Sequence, residues 1–167
     1  MMQSKGPAQE YYDFLESPVG RLCLIFRRSY LVGISFGRSA EIPMRHGDAS
    51  EIVKAQLTEY FRNERSEFSC RTAFLQGTEF EKRVWNVLRR IPYGETRSYK
   101  WVAAEIGEPK AARAVGNALG KNPIPIIFPC HRIIESDGSI GGYTPGTDIK
   151  RRLLGIEYYT AGAADME

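Results

Sequence analysis

Two short runs near the start of the chain are dense in β-branched, aliphatic and aromatic residues: Leu22-Cys23-Leu24-Ile25-Phe26 and Leu31-Val32-Gly33-Ile34-Ser35-Phe36. Arg27-Arg28-Ser29-Tyr30 separates them, and the pair predicts a β-hairpin. A polar stretch containing Gly and Pro follows, from Gly37 to Asp48. Ile52, Val53, Leu57, Tyr60 and Phe61 then recur at helical spacing, with Ser50 expected as the cap. Gly77-Thr78 reads as a boundary. Thr78 is the expected N-cap of a helix marked by Phe80, Val84, Trp85, Val87 and Leu88, which ends before Pro92-Tyr93-Gly94. Ser98 is expected to cap a short helix through Ile106, stopped by Gly107. Pro109 suits the first turn of an Ala-rich helix running to Gly120. Two short helices around a Gly-containing turn predict a helix-turn-helix.

Beyond it, Ile124, Ile126, Ile127 and Phe128 form an apolar run with the character of a buried strand. It leads into Pro129-Cys130-His131-Arg132. Glu135-Ser136-Asp137-Gly138 is hairpin-like, Gly141 to Gly146 is a loop, and a last helix is expected through Leu153 and Leu154 to Glu157. The predicted class is α+β. Residues 1–77 form a scaffold of a small sheet plus a helix, and residues 78–167 a mainly helical domain that carries the cysteine.

Composition narrows the setting. The chain has 167 residues, 43% apolar and 26% charged, which suits one compact domain or two small ones. No long uncharged apolar stretch is present, and the first residues lack an apolar signal-like core. Three cysteines, Cys23, Cys70 and Cys130, cannot all pair within the chain and form no CxxC. A reducing, cytoplasmic compartment is therefore expected. The net charge is only +3. It is unevenly spread: Lys82, Arg83, Arg89, Arg90, Arg97, Lys100, Lys110, Arg113 and Lys121 face only Glu95, Glu105 and Glu108 over residues 82–121. Such local positive charge suits a polyanion such as DNA.

Cys130-His131 is the strongest chemical signal. A thiolate is a strong nucleophile, and a nearby His can make it available at neutral pH. Adjacent side chains of an extended segment point to opposite faces, so a water is expected to relay the proton. A carboxylate behind the His would hold its tautomer, with Glu157, Glu135 and Asp148 as candidates. Tyr99 and Arg113 flank the helix-turn-helix. A nucleophile beside a nucleic-acid-binding helix suggests chemistry on a base flipped out of the duplex. Cys23, His46 and Cys70 are read as packing or loop residues. No metal site is expected, since zinc needs three or four suitably spaced ligands.

Several ordered motifs carry a resemblance. They are Ile91-Pro92-Tyr93-Gly94-Glu95-Thr96 with Ser98-Tyr99, Ala111-Ala112-Arg113-Ala114-Val115-Gly116, Asn122-Pro123-Ile124-Pro125-Ile126, and Pro129-Cys130-His131-Arg132. From about Phe80 to Glu157 the chain resembles the O6-alkylguanine-DNA alkyltransferases, and its N-terminal half matches in layout their ribonuclease-H-like domain. The resemblance implies a winged-helix or helix-turn-helix C-terminal domain and Cys130 as alkyl acceptor. It further implies His131 as base acting through water, Glu157 as its orienting carboxylate, Asn122 as a hinge and Arg113 as the finger that replaces the flipped guanine. Tyr99 would crowd the target phosphate and bond guanine N3. Lys100, Ala112, Gly116 and Ser136 are assigned to DNA contact. Pro125, Ile133, Tyr143, Thr144 and Pro145 are assigned to the pocket. The carbonyls of Cys130 and Ile133 would read the exocyclic amine, and a backbone N–H near Thr144 would bond O6.

The implied partner is double-stranded DNA containing alkylated guanine, bound through the minor groove by a monomer with little sequence preference, cooperative binding being left open. No cofactor is implied. The chain departs from the family at Pro145, where a small residue is common, at Tyr158, where Gly is common, and in lacking the Cys/His cluster of zinc-containing members. Three other classes fit less well. A lesion binder would replace Cys130, a thiol hydrolase would not use the Arg113 helix, and a winged-helix regulator would leave Cys130 without a role.

Overall fold

The computed structural model describes residues 10–37 and 42–165, with side chains as far as Tyr158. Its first half is an antiparallel meander, β1 (Glu10–Ser17), β2 (Gly20–Arg27) and β3 (Tyr30–Phe36), in the order β1-β2-β3. The β2–β3 hairpin lies where the apolar runs predicted it. β1 was not predicted, because one of its inward positions is acidic. Asp13 is buried, and its carboxylate accepts from His46 Nδ1 at 2.8 Å and from the Phe14 N–H at 2.8 Å. A register shift at Ile25/Phe26 bulges the β2–β3 pair.

Each outer edge of this sheet is partly covered by the chain itself, which shortens the open ladder that invites pairing with other chains. On β1, the Tyr12 N–H donates to the Pro43 carbonyl at 3.1 Å. On β3, the Leu31 N–H donates to the Arg71 carbonyl at 2.9 Å and the Ile34 N–H to the Pro123 carbonyl at 2.9 Å. Helix α1 (Asp48–Phe61) packs its Val53, Leu57 and Tyr60 side against the sheet. It begins after Gly47, earlier than a cap at Ser50 would place it. Ser50 instead sits in the first turn, and its hydroxyl accepts from the Gly47 N–H at 3.0 Å.

Helix α2 (Glu79–Leu88) starts at a reciprocal cap: Thr78 Oγ1 accepts from the Glu81 N–H and Glu81 Oε1 from the Thr78 N–H, each at 3.1 Å. Gly77 precedes it at φ +122°, where a Cβ would lie 2.6 Å from the Trp85 ring. Helix α3 (Tyr99–Glu105) is capped by Ser98, and α4 (Ala112–Gly120) packs across it as the second helix of the helix-turn-helix. Pro109 lies in the turn before α4, not in its first turn. Trp85 Nε1 donates to the Ala118 carbonyl at 2.8 Å and so locks α2 to α4. β4 (Arg97–Ser98) and β5 (Ile133–Ile134) form a two-residue parallel pair, and α5 (Thr147–Asp165) closes the fold.

The run Ile124–Phe128 is buried as expected but is not a strand. Its residues form successive turns, closed by the Phe128 N–H donating to the Ile124 carbonyl at 3.0 Å. Pro123, Pro125 and Pro129 remove the N–H groups that a ladder requires. One apolar core joins both halves, including Leu31 and Leu57 from the first and Leu88, Ile124 and Leu153 from the second. Each such aliphatic side chain contributes roughly 1.5–3 kcal/mol on burial. Among the described residues no helix is long and apolar enough to cross a membrane.

Candidate active site

Cys130 opens a single-turn 3-10 helix, Cys130–Arg132, that follows the proline-rich turns. Its N–H donates to the Phe128 carbonyl at 2.8 Å, and the Arg132 N–H donates to the Pro129 carbonyl at 3.0 Å. Asn122 ties the loop shut. Its Nδ2 donates to the Phe128 carbonyl at 2.8 Å, and its Oδ1 accepts from the Ile124 N–H at 3.0 Å. Inside this loop Ile126 sits at φ +73°, a left-handed setting that a β-branched residue resists. Strain of this kind costs of order 1–3 kcal/mol and persists only where surrounding contacts over-determine it.

Behind the cysteine lies an ion cluster with almost no solvent exposure. His131 is 0% and Glu157 1% exposed. His131 Nε2 and Glu157 Oε2 are 2.5 Å apart, and Arg132 Nε donates to Glu157 Oε1 at 2.7 Å. Tyr60 donates its hydroxyl to Oε2 at 2.5 Å, and the Gly94 N–H reaches Oε1 at 3.5 Å. Arg132 also donates Nη1 to the Ile91 carbonyl at 2.8 Å. An ionised carboxylate only accepts, so the His131 proton resides on Nε2 and Nδ1 is the ring's accepting nitrogen. Nδ1 has no hydrogen-bond partner among the described residues. Of the three carboxylates proposed from sequence, Glu157 occupies this place. The backbone there is a 3-10 turn, so the opposite-faces argument for an extended segment does not describe it.

Burial pushes the Glu157 carboxyl up, but His131 and Arg132 outweigh it and bring it down to about 2. Burial lowers His131, against the pull of Glu157. Cys130 is raised by burial, which the Asn122 amide, the Tyr143 hydroxyl and the Lys150 ammonium oppose. Lys150 is itself fully buried, and its Nζ donates to the Ile133 carbonyl at 2.6 Å and the Gly142 carbonyl at 3.1 Å. Burial lowers Lys150, while Cys130 and Glu135 act against that. The thiol is therefore kept neutral at rest, within a site that already holds groups to receive a thiolate charge.

Cys130 borders two adjoining cavities. The first, about 220 Å³, is walled by Tyr99, Gly116, Leu119, Tyr143 and Thr144. The second, about 320 Å³, runs from Cys130 past Pro125 and Pro145 to Ile34 and Phe36 of β3. A larger hollow of about 660 Å³, between Phe68, Arg89, Tyr93 and Arg132, has Pro129 but not Cys130 on its wall. Gly141 lies beside the first cavity at φ +71°, where a Cβ would stand 3.1 Å from the Tyr99 hydroxyl. Burial raises the Tyr99 phenol, with Glu135 and Cys130 adding to it, so it stays a donor.

The structure thus gathers Cys130, Asn122, Tyr99, Tyr143, Thr144, Pro125 and Pro145 around the cavities, with His131 and Glu157 behind. Ile133 is buried but on neither cavity wall, and its carbonyl is occupied by Lys150. Lys100, Arg113 and Ser136 are exposed on the outside. Ala112 and Gly116 are half-buried on α4, and a Cβ at Gly116 would meet the Tyr99 ring at 3.7 Å. Among the described residues no group of three or more His, Cys, Asp or Glu stands together as a metal site, and His46 is engaged with Asp13.

Sequence reasoning missed Tyr60, Arg132 and Lys150. Lys150, Leu153 and Glu157 follow helical spacing and are all buried, so charged residues on the inner stripe of a helix were the available signal. Tyr60 looked like any core aromatic.

Residues 79–159 match the family model described as 6-O-methylguanine DNA methyltransferase, DNA binding domain, and residues 10–74 match its ribonuclease-like domain. A methylated-DNA–protein-cysteine methyltransferase from Methanosarcina barkeri is 44% identical over 153 residues, covering 88% of this chain and 96% of its own. One of the same description from Mycobacterium bovis is 44% identical over 159 residues, covering 92% and 95%. The crystal structure of Mycobacterium tuberculosis OGT in complex with DNA superposes with a TM-score of 0.84 at 42% identity, covering 90% of this chain and 94% of that one.

Proposed function

The chain belongs to the 6-O-methylguanine DNA methyltransferase family, and from that premise we propose that it repairs O6-alkylguanine in DNA by moving the alkyl group irreversibly onto its own Cys130. The observation that carries this reading is the placement of Cys130. It borders a cavity walled by Tyr99 and by Gly116 and Leu119 of α4, with the His131–Glu157 pair buried behind. Residues 1–77 act as scaffold and residues 78–167 as the DNA-binding and alkyl-accepting domain. The setting is cytoplasmic, on the nucleoid in a prokaryote.

In this reading α4 enters the minor groove, where base-sequence information is sparse, and a monomer binds with little sequence preference. Lys100, Ala112, Gly116 and Ser136 contact the backbone and groove. Arg113, exposed on α4, fills the space of the flipped base, and the small residues beside it allow close approach. Flipping costs a few kcal/mol, less at a pair that alkylation has weakened. The guanine enters the cavity beside Cys130, and its O6 substituent points along the second cavity towards Pro125 and Pro145.

The thiol proton passes to His131 Nδ1 through a water, and Glu157 stabilises the imidazolium. Sulfur attacks the alkyl carbon in line: the S–C bond forms, the C–O6 bond breaks, and its electron pair stays with guanine. Tyr99 donates to N3 and a backbone N–H near Thr144 to O6, spreading the charge of the leaving base. The Tyr143 hydroxyl and the Lys150 ammonium stabilise the thiolate before attack. In net, the thiol proton ends on guanine and the alkyl group on sulfur. The product thioether resists hydrolysis, so each molecule acts once. O4-alkylthymine presents the same kind of alkylated oxygen and is included as a second substrate.

The test is incubation with duplex DNA containing O6-methylguanine, followed by peptide mapping by mass spectrometry. One added methyl on Cys130, at no more than one per protein molecule, is expected. Repeated turnover, or an unmodified Cys130 with the lesion intact, overturns the reading.

A further inference from the structure

Two donors share one oxygen of Glu157, and they come from opposite halves of the chain. His131 Nε2 stands 2.5 Å from Oε2, and the Tyr60 hydroxyl donates to the same atom at 2.5 Å from a position 97 residues away from Glu157 in sequence. Tyr60 lies in the last turn of α1 and is fully buried. Its ring meets Phe61, Phe68 and Tyr93 at centroid distances of 5.1, 5.5 and 5.8 Å. Those contacts need only an aromatic ring. A hydroxyl in such a place costs free energy unless it is bonded, and among the described residues it donates to Glu157. Burial, reinforced by the Glu157 charge, keeps the phenol protonated and donating well above the ordinary tyrosine range.

The other groups that face Glu157 act elsewhere. Arg132 Nε and the Gly94 N–H reach Oε1. Arg132 also carries charge towards Tyr60, and Tyr93 adds to the environment of the phenol. Lys150 acts on His131 from α5, and Glu157 bears on Tyr143. Among the described residues, Tyr60 is thus the donor that competes with His131 for Oε2.

We infer that Tyr60 is a positioning residue for alkyl transfer: its phenol fixes Glu157 Oε2 in line with His131 and takes up part of its charge, so the N-terminal half completes the proton relay. This rests on the reading of Cys130 as acceptor and His131 as base. A carboxylate oxygen with two short donors is less basic than one with a single donor. Without the phenol, Glu157 holds a proton on His131 more strongly. The ring then stays doubly protonated to higher pH, where Nδ1 cannot accept the thiol proton.

The experiment follows benzyl transfer from free O6-benzylguanine to Cys130 by intact mass from pH 5 to 9, a reaction that needs no DNA. Tyr60→Phe is compared with wild type and with Tyr11→Phe, which loses a hydroxyl bonded to the Arg28 carbonyl in the same domain. Tyr60→Phe is expected to react about 3- to 10-fold more slowly at neutral pH, the worth of one hydrogen bond, with the acid limb of its pH profile moved to higher pH. Tyr11→Phe keeps the wild-type limb. Substituting 3,5-difluorotyrosine at position 60, a stronger donor with the same ring, moves the limb to lower pH and covers the case in which the Phe variant folds poorly. A wild-type limb in both position-60 variants overturns the inference, as does slower reaction that tracks a fall in Tm with the limb unmoved. Absence of a benzyl adduct on wild-type Cys130 overturns the reading of the acceptor itself, and the role of Tyr60 with it.

Discussion

Asn122 spans the proline-rich loop to the carbonyl of Phe128 with a 2.8 Å hydrogen bond, two residues before Cys130. Its other side-chain atom receives the Ile124 N–H. One amide therefore closes the turns that hold Ile126 at positive φ and sets where the Cys130 backbone begins. Asn122→Ala removes both bonds and is expected to cost about 2–4 kcal/mol in urea unfolding. Benzylation of Cys130 by free O6-benzylguanine should slow by about tenfold or more, since small misplacements are costly in near-attack geometry. A wild-type rate in Asn122→Ala would show that the loop holds itself.

Glu157 gives a signed dependence on pH. Its carboxyl titrates at 4.5 in the absence of shifts and at about 2 in the fold. A carboxylate depressed in the native state stabilises it above the unfolded pKa, and that contribution drains away as pH falls from 4.5 towards 2. Glu157→Gln should lack this part of the acid-unfolding curve. At neutral pH it should be less stable by about 3–5 kcal/mol, because Arg132 is left buried without its counter-charge. Tm measured across pH 2–7 in both proteins checks both parts.

Lys150 reaches two carbonyls from inside the core and bears on the Cys130 thiolate. Lys150→Met keeps the length of the side chain and removes the charge. Alkylation of Cys130 by iodoacetamide, followed on its own peptide, is expected to move to higher pH, because the charge that favours the thiolate is gone. The variant should be less stable than wild type by about 2–4 kcal/mol, with two carbonyls left unpaired. An unshifted alkylation profile would assign Lys150 to structure alone.

Arg113 is exposed on α4 and lines neither cavity beside Cys130. Arg113→Ala should therefore leave the reaction with free O6-benzylguanine unchanged. Repair of O6-methylguanine in a duplex should fall by about 10- to 100-fold, the scale of a few kcal/mol of base flipping. Equal losses on the two substrates would remove the finger role.

Gly77 tests the joint between the halves. A Cβ there would lie 2.6 Å from Trp85, at a φ of +122° that other residues avoid. Gly77→Ala is expected to lower stability by about 2 kcal/mol or more through strain and displacement of the indole from Ala118. Thermal unfolding measures it, and a change within 0.5 kcal/mol, the ordinary range for surface substitutions, would count against the argument.

Much of this molecule was legible from local pattern. The β2–β3 hairpin, the Thr78 and Ser98 caps, the helix-turn-helix and the Pro-Cys-His-Arg motif all rest on interactions between residues close in sequence, which side-chain spacing encodes directly. β1 was hidden because Asp13 breaks its apolar face, and that carboxylate is held by His46 and Lys54, 33 and 41 residues away. The apolar run before Cys130 was read as a strand because periodicity reports burial and not conformation. The prolines and Asn122 turn it into a coil of turns.

The choice among Glu157, Glu135 and Asp148 had no local answer, nor did the roles of Tyr60, Arg132 and Lys150. Those depend on hydrogen bonds between groups 8 to 97 residues apart, from Lys150 on the Gly142 carbonyl to Arg132 and Tyr60 on Glu157. The sequence alone determined the chemistry on offer: a thiol, an imidazole and a basic helix pair. The tertiary structure decided which charges are buried together, and hence which atom holds the His131 proton. Burying a carboxylate in this core is tolerable only when several donors from distant segments converge on it, and the packing of α1, α5 and the Cys130 turn brings them there.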